Sequence, residues 1–264
     1  MADPEDVLLP VGASAALYDR LADDYDGHFA VAHRAAYDQL AWELTLDALP
    51  PAGATVVDVG CGSGRWAERL VALGYRVIGI EPAPRMAAAA RRRLGADITI
   101  FEQPVESVEL PARSVDAVLA MGSLQYSRDV PESLARMTNW VRPGGCVVVL
   151  VDSLVALVAE LSARGDHEQA LQRLGTRRGT WTQDGQSADL HLLDAQGVRA
   201  AYASAGSRAV DVRGLLVGWT MLGRDGFLEL LAADPAGRLA IEREWAQHGE
   251  LADLGKQLLA VGRC

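Results

Sequence analysis

The sequence is short of positive charge and nearly without lysine. Its 25 cationic residues face 35 acidic ones, a net charge of −10, and Lys256 is its single lysine. An acidic surface repels phosphate backbones and anionic lipid, so a broad nucleic-acid footprint is disfavoured, while a local basic patch stays open. Arginine used in place of lysine, together with heavy Ala and Gly usage, reads as the codon bias of a GC-rich genome and carries no conclusion about fold. Cysteine is scarce and odd in number. Cys61, Cys146 and Cys264 match no metal-ligand spacing and no disulfide framework, which points to a reducing compartment. No stretch of about 18 residues is both apolar and free of charge, so no membrane span is expected. The first ten residues, MADPEDVLLP, are acidic without an apolar run and do not read as a secretory signal. The expected location is the cytoplasm.

What is present is an ordinary globular balance: 264 residues, 50% hydrophobic and 23% charged. That composition excludes a disordered chain, a collagen and a disulfide-stapled miniprotein. The length allows one large domain or two small ones, with about 75% of the unfolded surface buried on folding.

Residues 1–13 read as a loose tail. Residues 14–26 and 32–49 carry helical periodicity, the second with Ala36, Leu40, Leu44 and Ala48 on one stripe, stopped by Pro50 and Pro51. From Ala54 strands and helices alternate: strands at 55–59, 76–80, 97–101, 115–120 and 146–151, helices at 63–73, 84–94 and 131–141, and a turn at Arg142-Pro143-Gly144-Gly145. Such alternation implies βαβ units and a parallel sheet with helices on both faces. After the fifth strand come a polar-faced helical stretch over 152–175, a hairpin over 178–193 turning at Gln183-Asp184-Gly185-Gln186, and a helix over 195–205 capped by Asp194. A strand over 208–217, two helices and a last strand over 256–262 complete the pattern. One sheet-centred domain (54–264) is expected, with residues 1–53 as tail and helical cap and 152–193 as an insertion over the substrate.

The chemical signal is Val56-Val57-Asp58-Val59-Gly60-Cys61-Gly62-Ser63-Gly64-Arg65. A strand runs into glycines and then into a helix, where the backbone can turn sharply and free N–H groups can meet a negative group. About twenty residues on, Glu81 ends the second strand, placed to accept both hydroxyls of a ribose. The G-x-G-x-G spacing fits a dinucleotide fingerprint poorly, since that wants G-x-G-x-x-G.

In these residues the sequence resembles the class I S-adenosylmethionine-dependent methyltransferases. Residues 56–64 are similar to the family's first motif. Gly79 to Met86 is similar to the second, which implies Glu81 on the ribose and Pro82 and Met86 near the adenine. Val105-Glu106, followed by Val115 to Val118, is similar to the stretch holding the adenine edge. Met121, Gln125 and Tyr126 fall in the loop beside the methionine moiety, and Tyr18 to Asp26 is similar to the capping helix. The resemblance implies a Rossmann-like, doubly wound α/β sheet of seven strands with an antiparallel last strand, S-adenosylmethionine as cofactor and no metal. It also implies cofactor contacts from Tyr18, Tyr25, Asp58, Gly60, Cys61, Gly62 and Arg65. Two positions depart from the family: Pro104 stands where an acid is common, and Gln125 where many relatives have His.

Individual residues admit blander readings. Asp58 either contacts the ligand or braces the glycine loop, since a buried unpaired charge is costly. Cys61 reads as a small filler, Cys146 as core and Arg91-Arg92-Arg93 as a solvated helix end. Tyr18 and Tyr25, two helical turns apart, either pack in the core or close over a sulfonium, whose charge suits an aromatic face. His28, His33 and His191 are candidate bases, whereas His167 and His248 read as surface. Alternation sets His191 on one face with Asp189 and Leu193, opposite Leu190 and Leu192. Trp181, Trp219 and Met221 read either as core or as an apolar wall for an acceptor.

The expected activity is methyl transfer to oxygen, nitrogen or carbon of an enclosed small molecule, a bacterial secondary metabolite, with no nucleic acid and no membrane as partner. Monomer and homodimer are both open. The alternatives are a non-methylating enzyme or a binding module on the same fold, and an NAD-dependent oxidoreductase.

Overall fold

The computed structural model describes residues 8–95, 98–183, 185–207 and 209–264. Residues 1–7 of the expected tail, Asp97 at the start of the third expected strand, Asp184 in the hairpin turn and Arg208 lie outside them.

β1 (Thr55–Val59), β2 (Arg76–Ile80), β3 (Thr99–Phe101), β4 (Val115–Met121), β5 (Val141–Asp152), β8 (Ala209–Leu215) and β9 (Gln257–Arg263) form one sheet in the order β3-β2-β1-β4-β5-β9-β8. β1 to β5 pair in parallel, and β9 runs antiparallel to both β5 and β8. The expected seven-stranded doubly wound sheet is what the structure shows. The inner strands β1, β4, β9 and the second half of β5 are buried on both faces, which is why their sequences are nearly continuous apolar runs rather than alternating ones, whereas the edge strands β3 and β8 are partly exposed.

One face is covered by α2 (Ala32–Ala48), α3 (Arg65–Ala72) and α9 (Val217–Ala233), through Leu40, Trp66, Leu70 and Phe227. The other is covered by α5 (Val130–Trp140) and α8 (Ala195–Ser204), through Leu134, Met137, Trp140 and Tyr202. Asp194 caps α8 as expected, its Oδ1 accepting from Gly197 N at 2.7 Å. A third core joins α1 (Ala15–Leu21) and α4 (Pro84–Leu94) to the β6–β7 hairpin (Arg178–Gln183 and Gln186–His191), through Leu17, Leu21, Met86, Leu190 and Leu192.

Three expectations need correction. The single helix over 14–26 is α1 followed by a 3-10 turn, Tyr25–Ala30. Asp23 and Asp26 are drawn to different arginines of α4, Arg85 and Arg93, and the chain tightens between them. The helical stretch 152–175 is two helices, α6 (Leu154–Ala163) and α7 (His167–Thr176), each with its own side-chain N-cap, Ser153 and Asp166. The turn at Arg142–Gly145 lies inside β5. Pairing on β4 jumps from Val115↔Val141 to Ala117↔Cys146, and the four intervening residues bulge. Gly145 is needed there, because a Cβ would stand 2.3 Å from Asp116 O.

The cap is fastened to α4 by charge. Asp19 Oδ1 accepts from Arg85 N at 2.6 Å, Arg85 also pairs with Asp23, and Arg93 reaches both Asp26 and Ser63. These pairs are largely exposed, and such pairs are worth about 0–1 kcal/mol each and are screened by salt. In an R85A/R93A variant, amide exchange at Tyr25–Ala30 is expected to rise about tenfold with little change in global stability. Wild-type protein in about 1 M salt should move the same way, as read by hydrogen–deuterium exchange.

Candidate functional site

Strand order reverses between β1 and β4, so the loops after them diverge and leave a crevice at the carboxyl ends of the sheet. The glycine loop after β1 lies there. Gly60 adopts φ +68°, and a Cβ would fall 2.3 Å from Ser123 Cβ in the loop after β4, so only glycine lets the two loops meet. From the end of β2, Glu81 reaches in, its Oε2 accepting from Gly62 N at 2.8 Å and its Oε1 from Ala83 N at 2.9 Å. Each carboxylate oxygen keeps a lone pair for a further donor. Burial pushes the Glu81 carboxyl up to about 7, against the pull of those two N–H groups.

Asp58, in β1, is 1% exposed, and its Oδ2 has no partner among the described residues. Burial, and then the charge of Glu81, push it up to about 7. Cys61 is buried between them, its thiol pushed up by burial, as befits a filler rather than a nucleophile.

Two cavities open from this crevice. The smaller, about 80 Å³, is lined by Glu81, Pro82, Pro104, Val105, Glu106 and Ser127 among others. The larger, about 410 Å³, runs under the cap and takes in Asp58, Cys61, Arg65, Phe29, Tyr37 and Trp181. Tyr18, Tyr25, Gly60, Gly62, Met121 and Tyr126 line both, so the two spaces share a common wall. The rings of Tyr18 and Tyr25 sit 5.9 Å apart and those of Tyr18 and Tyr126 5.6 Å apart, so the two cap tyrosines meet although a helix break separates them. Burial first raises all three hydroxyls, Tyr126 to about 12, and they stay protonated. Gln125 and Asp152 hold one another: Gln125 Nε2 donates to Asp152 Oδ2 at 2.9 Å, and Asp152 N donates to Gln125 Oε1 at 2.7 Å.

Arg65 lies over the Phe29 ring, 3.5 Å from its centroid, and pairs with Asp38 at 3.0 Å. His28 and His33 line the larger cavity. His28 Nε2 meets Gln183 at 2.8 Å. His33 stacks against Trp219 and is pushed down to about 4 by burial and then by the charges of Lys256, Arg34 and Arg224.

Two expected residues, Met86 and His191, lie elsewhere, and neither Trp219 nor Met221 forms an acceptor wall. Met86 is fully buried in the core under the cap and lines neither cavity. His191 points away from the larger cavity, its Nε2 against Ser127 O at 3.1 Å, while Leu190 and Leu192 on the opposite face line it. Trp219 belongs to the α2–α9 core, and Met221 is 55% exposed on the surface. Among residues not singled out from sequence, Phe29, Tyr37 and Asp152 line the larger cavity. The end of β5 was legible as a carboxyl-end position, which is the signal that could have found Asp152. Among the described residues no cluster of metal-ligating side chains occurs, and no helix is long and apolar enough to cross a membrane.

The donor set suits an adenosyl sulfonium. It offers a carboxylate with spare lone pairs for two hydroxyls, a second carboxylate with an unpartnered buried oxygen for an ammonium, and neutral aromatic rings around the junction for a positive sulfur.

Residues 56–145 match the methyltransferase domain family. The chain is 35% identical over 164 residues to a ubiquinone biosynthesis O-methyltransferase of Methylocella silvestris, covering 54% of this chain and 61% of that protein. It is 35% identical over 136 residues to a tRNA U34 carboxymethyltransferase of Edwardsiella ictaluri, covering 49% of this chain and 39% of that protein. The chain thus spans less than two thirds of the length of these curated relatives. It superimposes on the solved DhpI–SAM–HEP complex with a TM-score of 0.61 at 18% identity, over 96% of each chain, a likeness of fold.

The two raised carboxyls make a stability prediction. Their folded values lie above their unfolded ones, so their contribution is fully present below about pH 4 and is lost as pH rises through about 7. Asp58→Asn is therefore expected to match wild type near pH 4 and to be more stable by ~4 kcal/mol at pH 8, measured by denaturant unfolding of the ligand-free protein.

Proposed function

We propose that this chain, whose residues 56–145 match the methyltransferase domain family, is a class I S-adenosylmethionine-dependent methyltransferase that transfers a methyl group to oxygen, nitrogen or carbon of a small organic acceptor enclosed under its cap. The observation that carries this reading is the pair of cavities meeting at Gly60, Gly62, Met121 and three tyrosines. About 410 Å³ is the volume of a small-ligand site. In this reading residues 1–53 are the N-terminal tail and helical cap, 54–264 the core, and 152–193 a lid insertion over the acceptor chamber.

Bound S-adenosylmethionine would supply an electrophilic methyl group on a positive sulfur. We assign Glu81 to the ribose, and Pro82, Val105 and Glu106 to the adenine end. Asp58, Gly60, Cys61 and Gly62 would hold the methionine end, with Arg65 behind them. Tyr18, Tyr25, Met121 and Tyr126 would surround the sulfonium as neutral groups, braced by Gln125. Met86 would act only through the packing beneath the cap. The protein's contribution is then alignment of two reactants and exclusion of water.

Where the acceptor must lose a proton, we assign the acceptance to His33 Nδ1, which is buried with no partner among the described residues. Being held down to about 4, His33 is neutral across the physiological range. The rate is therefore expected to show no acid limb from His33 between about pH 6 and 8. His33→Gln should lower kcat about 100-fold with cofactor affinity unchanged, as measured by steady-state kinetics and calorimetry.

We favour a secondary metabolite as acceptor and the cytoplasm as the place of action. The aromatic walls of Phe29, Tyr37 and Trp181 suit a ring-bearing metabolite, and the net charge of −10 works against a polynucleotide. The test is transfer of labelled methyl from S-adenosylmethionine to a panel of small phenols, amines and activated-carbon compounds alongside bulk tRNA. Label is expected in a small product. Preferential labelling of tRNA would overturn the acceptor class, and failure to bind S-adenosylmethionine would overturn the whole reading.

A further inference from the structure

The larger cavity has two cations whose hydrogen-bond donors are unfilled. Arg34, on α2, and Lys256, immediately before β9, both line it. Arg34 is half-buried, and its guanidinium has no hydrogen bond or ion pair with any described residue. The Lys256 side chain is 27% exposed, and its nearest carboxylate, Glu160, stands at 4.0 Å, outside hydrogen-bond range. No described residue accepts a hydrogen bond from its Nζ. The Trp219 ring lies 4.5 Å from that ammonium and supports it.

The neighbouring acids are partly committed elsewhere. Glu160 is shared with Arg164 at 3.6 Å and Trp219 Nε1 at 3.4 Å. Asp38 Oδ2 is taken by Arg65 and Arg69, both at 3.0 Å, while its Oδ1 is buried without a partner among the described residues, and Asp152 Oδ2 accepts from the neutral amide of Gln125. Arg34 and Lys256 both bear electrostatically on His33, which places them around one region of the cavity. A half-desolvated cation without an acceptor is costly, and an anion arriving there offsets the cost with charge-assisted hydrogen bonds. The one position at which this arginine-rich chain uses lysine supplies a compact, rotatable point charge to that wall.

We propose that Arg34 and Lys256 form an anion-binding wall of the acceptor chamber, and that the acceptor carries a carboxylate lodged against it. This rests on the reading of the larger cavity as the acceptor site. Asp38, Asp152 and Glu160 line the same cavity and limit the negative charge it can take, which favours a monoanionic carboxylate over a dianionic phosphate. Phe29, Tyr37 and Trp181 would hold the acceptor's body.

The test uses the full chain saturated with S-adenosylhomocysteine, whose own binding is measured first by calorimetry. The protein is then titrated with 4-hydroxybenzoate, 4-hydroxycinnamate, their carboxamides and 4-hydroxyphenyl phosphate. The carboxylates are expected to bind about tenfold more tightly than the amides. Lys256→Met and Arg34→Met should each bring that ratio to within about twofold of unity, with S-adenosylhomocysteine affinity retained. Because the chain has one lysine, reductive ¹³C-methylation labels a single side chain and keeps its charge. Its resonance should shift saturably with the carboxylates and not with the amides. Equal affinity for acid and amide, no shift on adding carboxylate, or a preference for the aryl phosphate would overturn the proposal. Loss of S-adenosylhomocysteine binding in the wild type would instead strike the methyltransferase reading itself, so the two failures are distinguishable.

Discussion

Two backbone N–H groups, of Gly62 and Ala83, close on the carboxylate of Glu81 from two different loops. That clasp ties the glycine loop after β1 to the end of β2, beside the point where the strand order reverses. The geometry exists because Gly60 can turn where any side chain would strike Ser123. It also sets the electrostatics. Glu81 and Asp58 are both nearly inaccessible, and burial holds both carboxyls far above their ordinary values. Donors and positive charge, the character of the proposed ligand, favour the ionised form of both carboxyls.

The rest of the chamber is assembled around that clasp from parts distant in sequence. An acidic cap grips the basic α4 through Asp19, Asp23 and Asp26. The β6–β7 hairpin brings Trp181 against Tyr18, and β5 presents Asp152 to Gln125. The net negative charge, which at first only disfavours polynucleotide partners, thus includes residues that hold the cap in place. Against this acidic background Arg34 and Lys256 line the larger cavity with no hydrogen bond from their side chains to any described residue.

Much of the architecture is legible locally. The runs 55–59 and 76–80 and the helix 84–94 have the bounds that apolar content and punctuation by Gly and Pro suggest. The alternation of Leu190, His191 and Leu192 correctly places them on opposite faces. Alternation cannot say which face meets the cavity, and it is the leucines that do. In the same way Met86, Trp219 and Met221 have the chemistry of a pocket wall, but helix packing sends the first two into cores and leaves the third in solvent. The break after α1 and the bulge at Arg142–Gly145 also depend on partners far away in sequence, Arg85 and Arg93 for one and Asp116 for the other.

Sequence alone determined the sheet class, the glycine loop and its acidic companion, because strand period, helix caps and positive-φ turns are short-range properties that a few neighbouring residues specify. Tertiary structure alone decided which side chains share a cavity, and that His33 rather than His191 faces it. It also decided that Asp152, Arg34 and Lys256 stand there at all. Those outcomes depend on the docking of a cap, a hairpin and two sheet edges, and that docking is set by packing and charge between residues from 62 to more than 150 positions apart.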